Sequence, residues 1–279
     1  MEPIKPEEFK NLAACVADLT GIELNESKAY LIENRLGPVA AELGCNSYQS
    51  LYHKIKSQSS PGIINRVIDA ITVNETFFFR DNSPFNLMQN KILPDLIDRA
   101  ESSGNIAGRS IDIWSAACST GQEVYSIAII LKELLGDVFK WRISILGTDL
   151  SPAAVGQASY GQYNQTEIER GLDPVKRDKY FMRKGNVWQV NDEIRAMVSF
   201  KKMNLLEPFT GMRKFDLILC RNVAIYFSRE NRKTLFERIA NQLNPSGVLM
   251  IGSTESLIGI SERFHRREYL NSVYYELKS

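Results

Sequence analysis

The stretch Ile111 to Ile130, IDIWSAACSTGQEVYSIAII, limits what the chain can fold into more than any other. An apolar run (Ile111, Ile113, Trp114) passes through the small residues Ala116 to Gly121 into an amphipathic run with Val124, Ile127, Ala128 and Leu131. That order reads as strand, tight turn and helix. In a parallel α/β sheet such a crossing sets backbone N–H groups and the positive helix end at the carboxyl edge of the strands, where nucleotide-like ligands bind. The turn is therefore a candidate ligand loop. An ordinary strand-to-helix turn capped by Ser119 or Thr120 is the plainer alternative, and short glycine motifs alone do not choose between the two.

The flanking sequence supports an α/β sheet. Strand 142–148 ends in Asp149, and Ser151-Pro152 caps a further helix. Later come FDLILC (215–220), helix 230–243, the Asn244-Pro245-Ser246-Gly247 break, VLMIGS (248–253) and a closing strand pair near the C-terminus. Strands alternating with helices in this way imply a doubly wound, Rossmann-like, mostly parallel sheet. Between about residues 160 and 202 the alternation stops. KYFMRKGNVWQV holds two strand-like runs around Lys184-Gly185-Asn186, and AMVSF follows, which together read as a small antiparallel β insertion.

Residues 1–72 read as an all-helical domain. Phe9, Leu12, Ala13, Val16 and Leu19 recur at helical spacing, Gly21 closes that helix, and Asn25 or Ser27 opens a second running to about Leu43. Third and fourth helices follow Ser47 and Pro61. Lys28 and Arg35 share one face of the second helix, where an acidic partner could meet them, although a solvated face is the default explanation. The α/β domain then spans 73–279. It opens with TVNETFFFRDNSPF, a helix from Leu87 to Ala100 with Pro94 in or near its boundary, and a small-residue linker from Ser102 to Gly108.

Composition removes several function classes. A net charge of +1 without a run of like charges speaks against nucleic acid or an anionic membrane as partner. No leader pattern and no bilayer-length apolar run is present, so a cytoplasmic protein without membrane insertion is expected. Cys15, Cys45, Cys118 and Cys220 lack the paired spacing of a zinc or redox motif and read as free buried thiols. With only His53 and His265 besides, in unrelated segments, no metal is expected and histidine-based nucleophile chemistry is disfavoured.

The candidate site follows from the strand ends: Ala116 to Glu123, Asp149, Asn204 and Leu205, Arg221 and Asn222, and Ser253 to Glu255. An acid at the end of the second strand suits a ribose whose two hydroxyls donate to it, with a helix-cap role beside Ser151 as the alternative for Asp149. The loop lacks G-x-G-x-x-G, since Ala116 and Ser119 stand where glycines would admit a pyrophosphate. Glu123, one turn into the helix, would repel phosphate but could hold a ribose hydroxyl or a cationic group. S-adenosylmethionine, an adenosine without phosphate that carries a sulfonium and an ammonium, meets both demands.

NETFFFRD (74–81), AACSTGQEVYSIA (116–128), GTDLS (147–151), NLLE (204–207), CRNVAIYF (220–227) and GSTESL (252–257) together closely resemble the chemotaxis receptor methyltransferases, the CheR family. The resemblance runs in order along almost the whole chain. It implies a methyltransferase domain that uses S-adenosylmethionine and esterifies glutamate side chains on the cytoplasmic helices of chemoreceptors, in sensory adaptation. Carried over motif by motif, it implies that Asn74, Thr76 and Arg80 line the cofactor and substrate site. It assigns Glu123 and Asp149 to cofactor contacts, Asn204 and Leu205 to the adenine side, Arg221 and Asn222 to the pocket floor, and Tyr226 to the neighbourhood of the incoming carboxylate. At least two rings of the Phe77-Phe78-Phe79 run are expected to be core, and a local ion pair with Asp81 is the alternative role for Arg80.

Such a reaction asks little of the protein. A glutamate with a reference pKa of about 4.3 is already ionised at neutral pH, so no general base is needed. Attraction between a carboxylate and a sulfonium fades as the methyl moves, so a tight bidentate clamp would favour the ground state. Arg80 and Tyr226 are therefore expected to position the carboxylate through single contacts. The turn at Lys184-Gly185-Asn186 is shorter than the glycine-rich loop with which some relatives dock a receptor-tail peptide, so recognition through the methylation helices by a monomeric enzyme is expected. The alternatives are a non-catalytic S-adenosylmethionine-binding sensor and a methyltransferase acting on another protein or on nucleic acid. Against the last, Arg221-Asn222-Val223-Ala224 replaces the Asn or Asp, two prolines and aromatic of base-modifying enzymes.

Overall fold

A computed structural model describes residues 1–57, 60–102 and 109–278. The N-terminal domain contains α1 (Pro6–Thr20), α2 (Ala29–Glu42), α3 (Tyr48–Ser57) and α4 (Pro61–Ile71). Their apolar stripes, including Leu12 and Val16, Ile32 and Leu36, Leu51 and Ile55, and Val67 and Ile71, close into one core. Gly21 ends α1 at φ 77 with its N–H on Ala17 O at 2.8 Å, as the sequence suggested. Glycine is required there twice over, because a β-carbon would sit 2.9 Å from the Phe227 ring and 3.0 Å from Leu206 of the following domain. The end of α1 is thus pressed against the α/β domain.

The helix expected from Leu87 is broken into α5 (Ser83–Leu87), a π-helical turn (Met88–Ile92) and α6 (Leu93–Ser102). Pro94 explains the widened turn: its ring would meet the carbonyl four residues back, and opening the turn relieves that clash. Leu93 N–H accordingly bonds Met88 O. Beyond Ser102, the expected linker lies outside the described residues.

The α/β domain continues with β1 (Ser110–Ala116), α7 (Gln122–Leu135), β2 (Arg142–Asp149), α8 (Pro152–Tyr160), β3 (Gln162–Asn164), α9 (Gln165–Glu169), α10 (Pro174–Tyr180), β4 (Phe181–Lys184), β5 (Val187–Val190) and α11 (Asp192–Arg195). Then come β6 (Val198–Lys202), β7 (Phe215–Cys220), α12 (Arg229–Gln242), β8 (Leu243–Ile251), β9 (Phe264–Tyr269) and β10 (Ser272–Leu277). The main sheet has the order β6-β2-β1-β7-β8-β10-β9, with only β10 antiparallel to its neighbours. Chain direction therefore switches outward on either side of β1 and β7. Successive residues feed opposite cores: Ile111, Ile113, Leu217 and Leu219 pack under α7, while Trp114, Ala116, Ile218 and Cys220 pack with Leu235 and Ile239 of α12. All four cysteines are free and buried. No described helix is long and apolar enough to cross a membrane.

One part of the insertion differs from the sequence reading. The AMVSF run does not join the antiparallel sheet; it supplies β6, parallel to β2 from Ile145↔Val198 to Asp149↔Lys202. The small sheet is instead β3-β5-β4. Gly147 explains the placement, since the Phe200 ring occupies the space where its β-carbon would be, at 2.6 Å. The Asn244–Gly247 break lies inside β8 as an irregularity, Leu243 pairing with Phe215 and Val248 with Leu217.

Phe78 is fully buried, edge-on to Tyr163 at 5.0 Å and Phe181 at 5.4 Å, and Phe79 packs on Phe85 at 5.4 Å, so two of the three rings are core. Gly171 (φ 85) lies so close to this run that a β-carbon would be 2.1 Å from Phe78 O. Gly171→Ala combines a left-handed alanine with a backbone clash, and a loss of about 2–4 kcal/mol in denaturant unfolding is expected.

Candidate active site

At the carboxyl edge of the sheet, the exits of β1, β2 and β7 meet the end of the N-terminal domain around a cleft. The empty space it spans, the open solvent at its mouth included, is about 1320 Å³. Asn74, Thr76, Arg80, Glu123, Asp149, Asn204, Leu205, Arg221, Asn222 and Tyr226 all line it, whereas Ser253 to Glu255, also named from the strand ends, and Ala116 and Thr120 to Gln122 of the first loop do not. Thr20, Ile22, Leu24 and Leu31 also line it and went unnoticed in the sequence. Their only signal was that Ile22 and Leu24 are apolar residues in the connection between two helices. Lys28 and Arg35 line it too, and Arg35 donates to Ile71 O at 3.2 Å and Thr72 O at 2.9 Å. The second helix therefore turns this face inward, not to solvent.

The loop after β1 is left-handed at Ala117 (φ 62), Ser119 (φ 51) and Gly121 (φ 94). Three of its amides are used internally: Cys118 N–H bonds Thr148 O (2.8 Å), Ser119 N–H bonds Asp149 Oδ2 (2.8 Å) and Gly121 N–H bonds Cys118 O (3.1 Å). A diphosphate would need those donors and would face the Asp149 carboxylate, so the loop is unsuited to one. Gly121 lets α8 approach, a β-carbon there falling 2.8 Å from that of Ala158.

Asp149 is buried, and its other oxygen accepts the Ser151 N–H at 2.9 Å. Burial raises its pKa above the ordinary aspartate value, although the amides of Ser151 and Ser119 pull the other way. Ser151, not Asp149, caps α8, its hydroxyl accepting from Ala154 N–H at 3.0 Å and donating to Asp69 of α4 at 2.6 Å. Asp149 is thus held rigidly with lone pairs to spare.

Glu123 does not stand free as a cation acceptor. Its Oε1 takes the Ser115 hydroxyl at 2.8 Å, and its Oε2 takes Nη1 of Arg221 at 2.7 Å. The Arg221 side chain is 2% exposed and also reaches Asp81 Oδ2 at 2.9 Å. Asp81 therefore pairs with Arg221 rather than with its neighbour Arg80. The Arg80 guanidinium donates to Glu75 O at 2.7 Å and lies 5.8 Å from the Phe77 ring centre. Among the described residues it makes no ion pair, although its charge helps lower the pKa of Glu75, and it stands at the cleft wall.

Asn204 bends its own loop by accepting Leu206 N–H at 3.0 Å, and its Nδ2 donates to Leu19 O at 3.2 Å. Asn222 is left-handed (φ 57), with its N–H on Glu255 Oε2 at 2.9 Å. Glu255 also takes Gly252 N–H at 2.6 Å, which gives the GSTESL motif the task of fixing the exit of β7. Tyr226 receives the Glu23 N–H on its carbonyl at 3.0 Å, so the N-terminal domain grips this exit as well.

The residues fit S-adenosylmethionine. A rigid buried carboxylate stands where two ribose hydroxyls can donate, Leu205, Met203 and Val223 offer apolar wall, and the Asp149 carboxylate holds the Ser119 amide and opposes a phosphate at this loop. Arg221 Nε is buried without a partner among the described residues, a donor left over on the cleft floor.

Family comparison agrees with this geometry. Residues 74–272 match the CheR methyltransferase, SAM binding domain, and residues 7–72 match the CheR methyltransferase, all-alpha domain. Chemotaxis protein methyltransferase Cher2 of Pseudomonas putida is 36% identical, covering 97% of this chain and 98% of its own. Chemotaxis protein methyltransferase 1 of Pseudomonas aeruginosa is 36% identical over 92% and 93%, and the chemotaxis protein methyltransferase of Vibrio parahaemolyticus is 34% identical over 99% and 98%. With its loop, carboxylate and cleft in place, the chain belongs to the CheR family and is an S-adenosylmethionine-dependent methyltransferase.

Proposed function

We propose that the protein esterifies glutamate side chains on the cytoplasmic helices of chemoreceptors, acting as a cytoplasmic monomer in sensory adaptation. The observation that carries this reading is the absence of a base among the residues lining the cleft. No histidine lines it, and burial pushes the Cys118 thiol well above its usual range. Glu123 and Asp149 are already committed to Ser115, Arg221 and backbone amides, and Glu75 is paired with Arg170 at 2.6 Å, which lowers its pKa and makes it a poorer base. A nucleophile in this cleft must arrive already ionised, as a carboxylate does at neutral pH.

When bound, S-adenosylmethionine supplies an electrophilic methyl on a cationic sulfur. Asp149 holds the ribose hydroxyls, Asn204 and Leu205 flank the adenine, and Glu123 with Arg221 braces the floor near the amino-acid end. Asn74, Thr76 and Asn222 complete the cofactor wall. Arg80 and Tyr226 orient the incoming carboxylate, and alignment of this kind is worth several kcal/mol. Arg80→Ala is expected to lower turnover on a receptor fragment by about 10²-fold. Unchanged turnover and unchanged substrate binding in steady-state kinetics would show that Arg80 has no such role.

The substrate assignment is tested with methyl-labelled cofactor and a receptor cytoplasmic fragment. Base-labile release of labelled methanol, lost when the acceptor glutamates are replaced by glutamine, marks ester formation. Stable label in nucleic acid points to a different substrate, and no transfer points to a sensor. The two-residue turn at Gly185-Asn186 between β4 and β5 supports recognition without a tail tether. Calorimetry with a receptor-tail peptide is expected to give no tight complex.

A further inference from the structure

The residues after Phe78 adopt an unusual backbone: Phe79 (φ 52), Asp81 (φ 68) and Asn82 (φ 26) all have positive φ without being glycine. Such conformations are disfavoured for residues with a β-carbon and persist only where their surroundings hold them. The holding group is visible. Nη2 of Arg221 donates to Asp81 Oδ2 at 2.9 Å and to Arg80 O at 3.3 Å, while Nη1 is fixed on Glu123 at 2.7 Å. Arg221 also lies 5.7 Å from the Phe85 ring centre, just after the turn. One buried guanidinium therefore fastens the turn that carries Arg80 to the Glu123 carboxylate in the first turn of α7, beside the cleft.

We infer that Asp81 is a positioning residue for methyl transfer. Through Arg221 it holds Arg80 in the direction from which the substrate carboxylate is met. This rests on reading the cleft as the transfer site with Arg80 facing the substrate. The charges support a specific role. Arg221 is almost completely buried, while the Asp81 side chain is 36% exposed, so this carboxylate closes the outer end of a buried cation, and without it Nη2 would keep only the longer bond to a carbonyl. The pairing also keeps Asp81 away from Arg80, whose guanidinium would lose its pull on a substrate carboxylate if it were neutralised by its neighbour.

Two replacements separate charge from backbone. Asp81→Asn preserves size and tolerance of a left-handed backbone, and Asp81→Gly preserves the backbone while removing the side chain. Both are expected to keep affinity for S-adenosylhomocysteine within about threefold of the wild type and to lower turnover on a receptor fragment by roughly tenfold. Because Asp81 acts through Arg80, adding Asp81→Asn to Arg80→Ala should cost little further turnover, whereas a merely structural residue would add its full effect. Hydrogen exchange supplies a reading that needs no substrate: amides of residues 79–86 should exchange faster in both variants, with those of 111–116 unchanged. Full turnover with unchanged exchange overturns the inference, as does a loss of cofactor affinity that accounts for the lost turnover. If the wild type itself fails to methylate the fragment, the substrate reading falls, and the exchange of 79–86 alone decides for or against Asp81.

Discussion

Replacing Asp149 with alanine is expected to weaken S-adenosylhomocysteine binding by about 10² to 10³-fold, the equivalent of losing two hydrogen bonds to a charged acceptor. Asparagine should do no better. Both carboxylate oxygens accept backbone N–H groups, from Ser119 and from Ser151, so either orientation of an amide turns its NH₂ against one of them. The pH dependence has a definite sign. Burial raises the folded-state pKa of Asp149, so ionising it costs the empty protein stability above that pKa, and the cost is relieved as pH falls through it. Binding runs the opposite way, since the hydroxyls need the ionised carboxylate. Affinity should therefore decline as pH falls, beginning above the ordinary aspartate value of 3.8. Calorimetric titrations between roughly pH 4 and pH 8 check this, and a flat profile would remove Asp149 from the ribose contact.

Arg221→Leu should be the most damaging substitution for stability. It leaves Glu123 buried with only the Ser115 hydroxyl and strands Asp81, and breaking a buried pair from one side costs about 3–5 kcal/mol. At the usual entropy of unfolding for a chain of this size, that lowers the melting temperature by roughly 5–9 °C. Replacing Glu123 by leucine as well should recover much of that stability, because two apolar groups are cheaper to bury than one unpaired charge. Activity should stay lost. Melting curves that do not move on Arg221→Leu would mean the buried network contributes little to the fold.

The sequence revealed the elements whose signals are local and left obscure those that depend on distant partners. Strand 215–220, and helix 230–243 to within one residue at each end, were bounded correctly because period and capping residues lie within each segment. AMVSF was misassigned because an apolar strand carries no mark of which sheet it joins; the mark was Gly147, a distant glycine that makes room for Phe200. At the site, strand ends located Glu123, Asp149, Asn204, Leu205, Arg221 and Asn222, since the doubly wound topology dictates where strands finish, whereas Asn74, Thr76, Arg80 and Tyr226 came only through the family resemblance. Who pairs with whom was not legible. Glu123 seemed free for a ligand and Asp81 seemed the neighbour of Arg80, yet both converge on Arg221, far from either in the chain. The inward face of Lys28 and Arg35 was equally hidden, because a basic helix face looks the same whether it meets water or carbonyl oxygens.

Gly21, Leu19 O and the Glu23 amide all lie at the seam where α1 ends, and each touches the other half of the molecule. One bank of the reaction chamber is therefore written in the first three dozen codons and the other in the rest. Grafting the helical module of a relative onto the α/β half should therefore disturb the cleft itself, and weaker S-adenosylhomocysteine binding in calorimetry is the expected reading. A catalytic half produced alone should resemble a vise with one jaw, able to fold around its own sheet but not to grip.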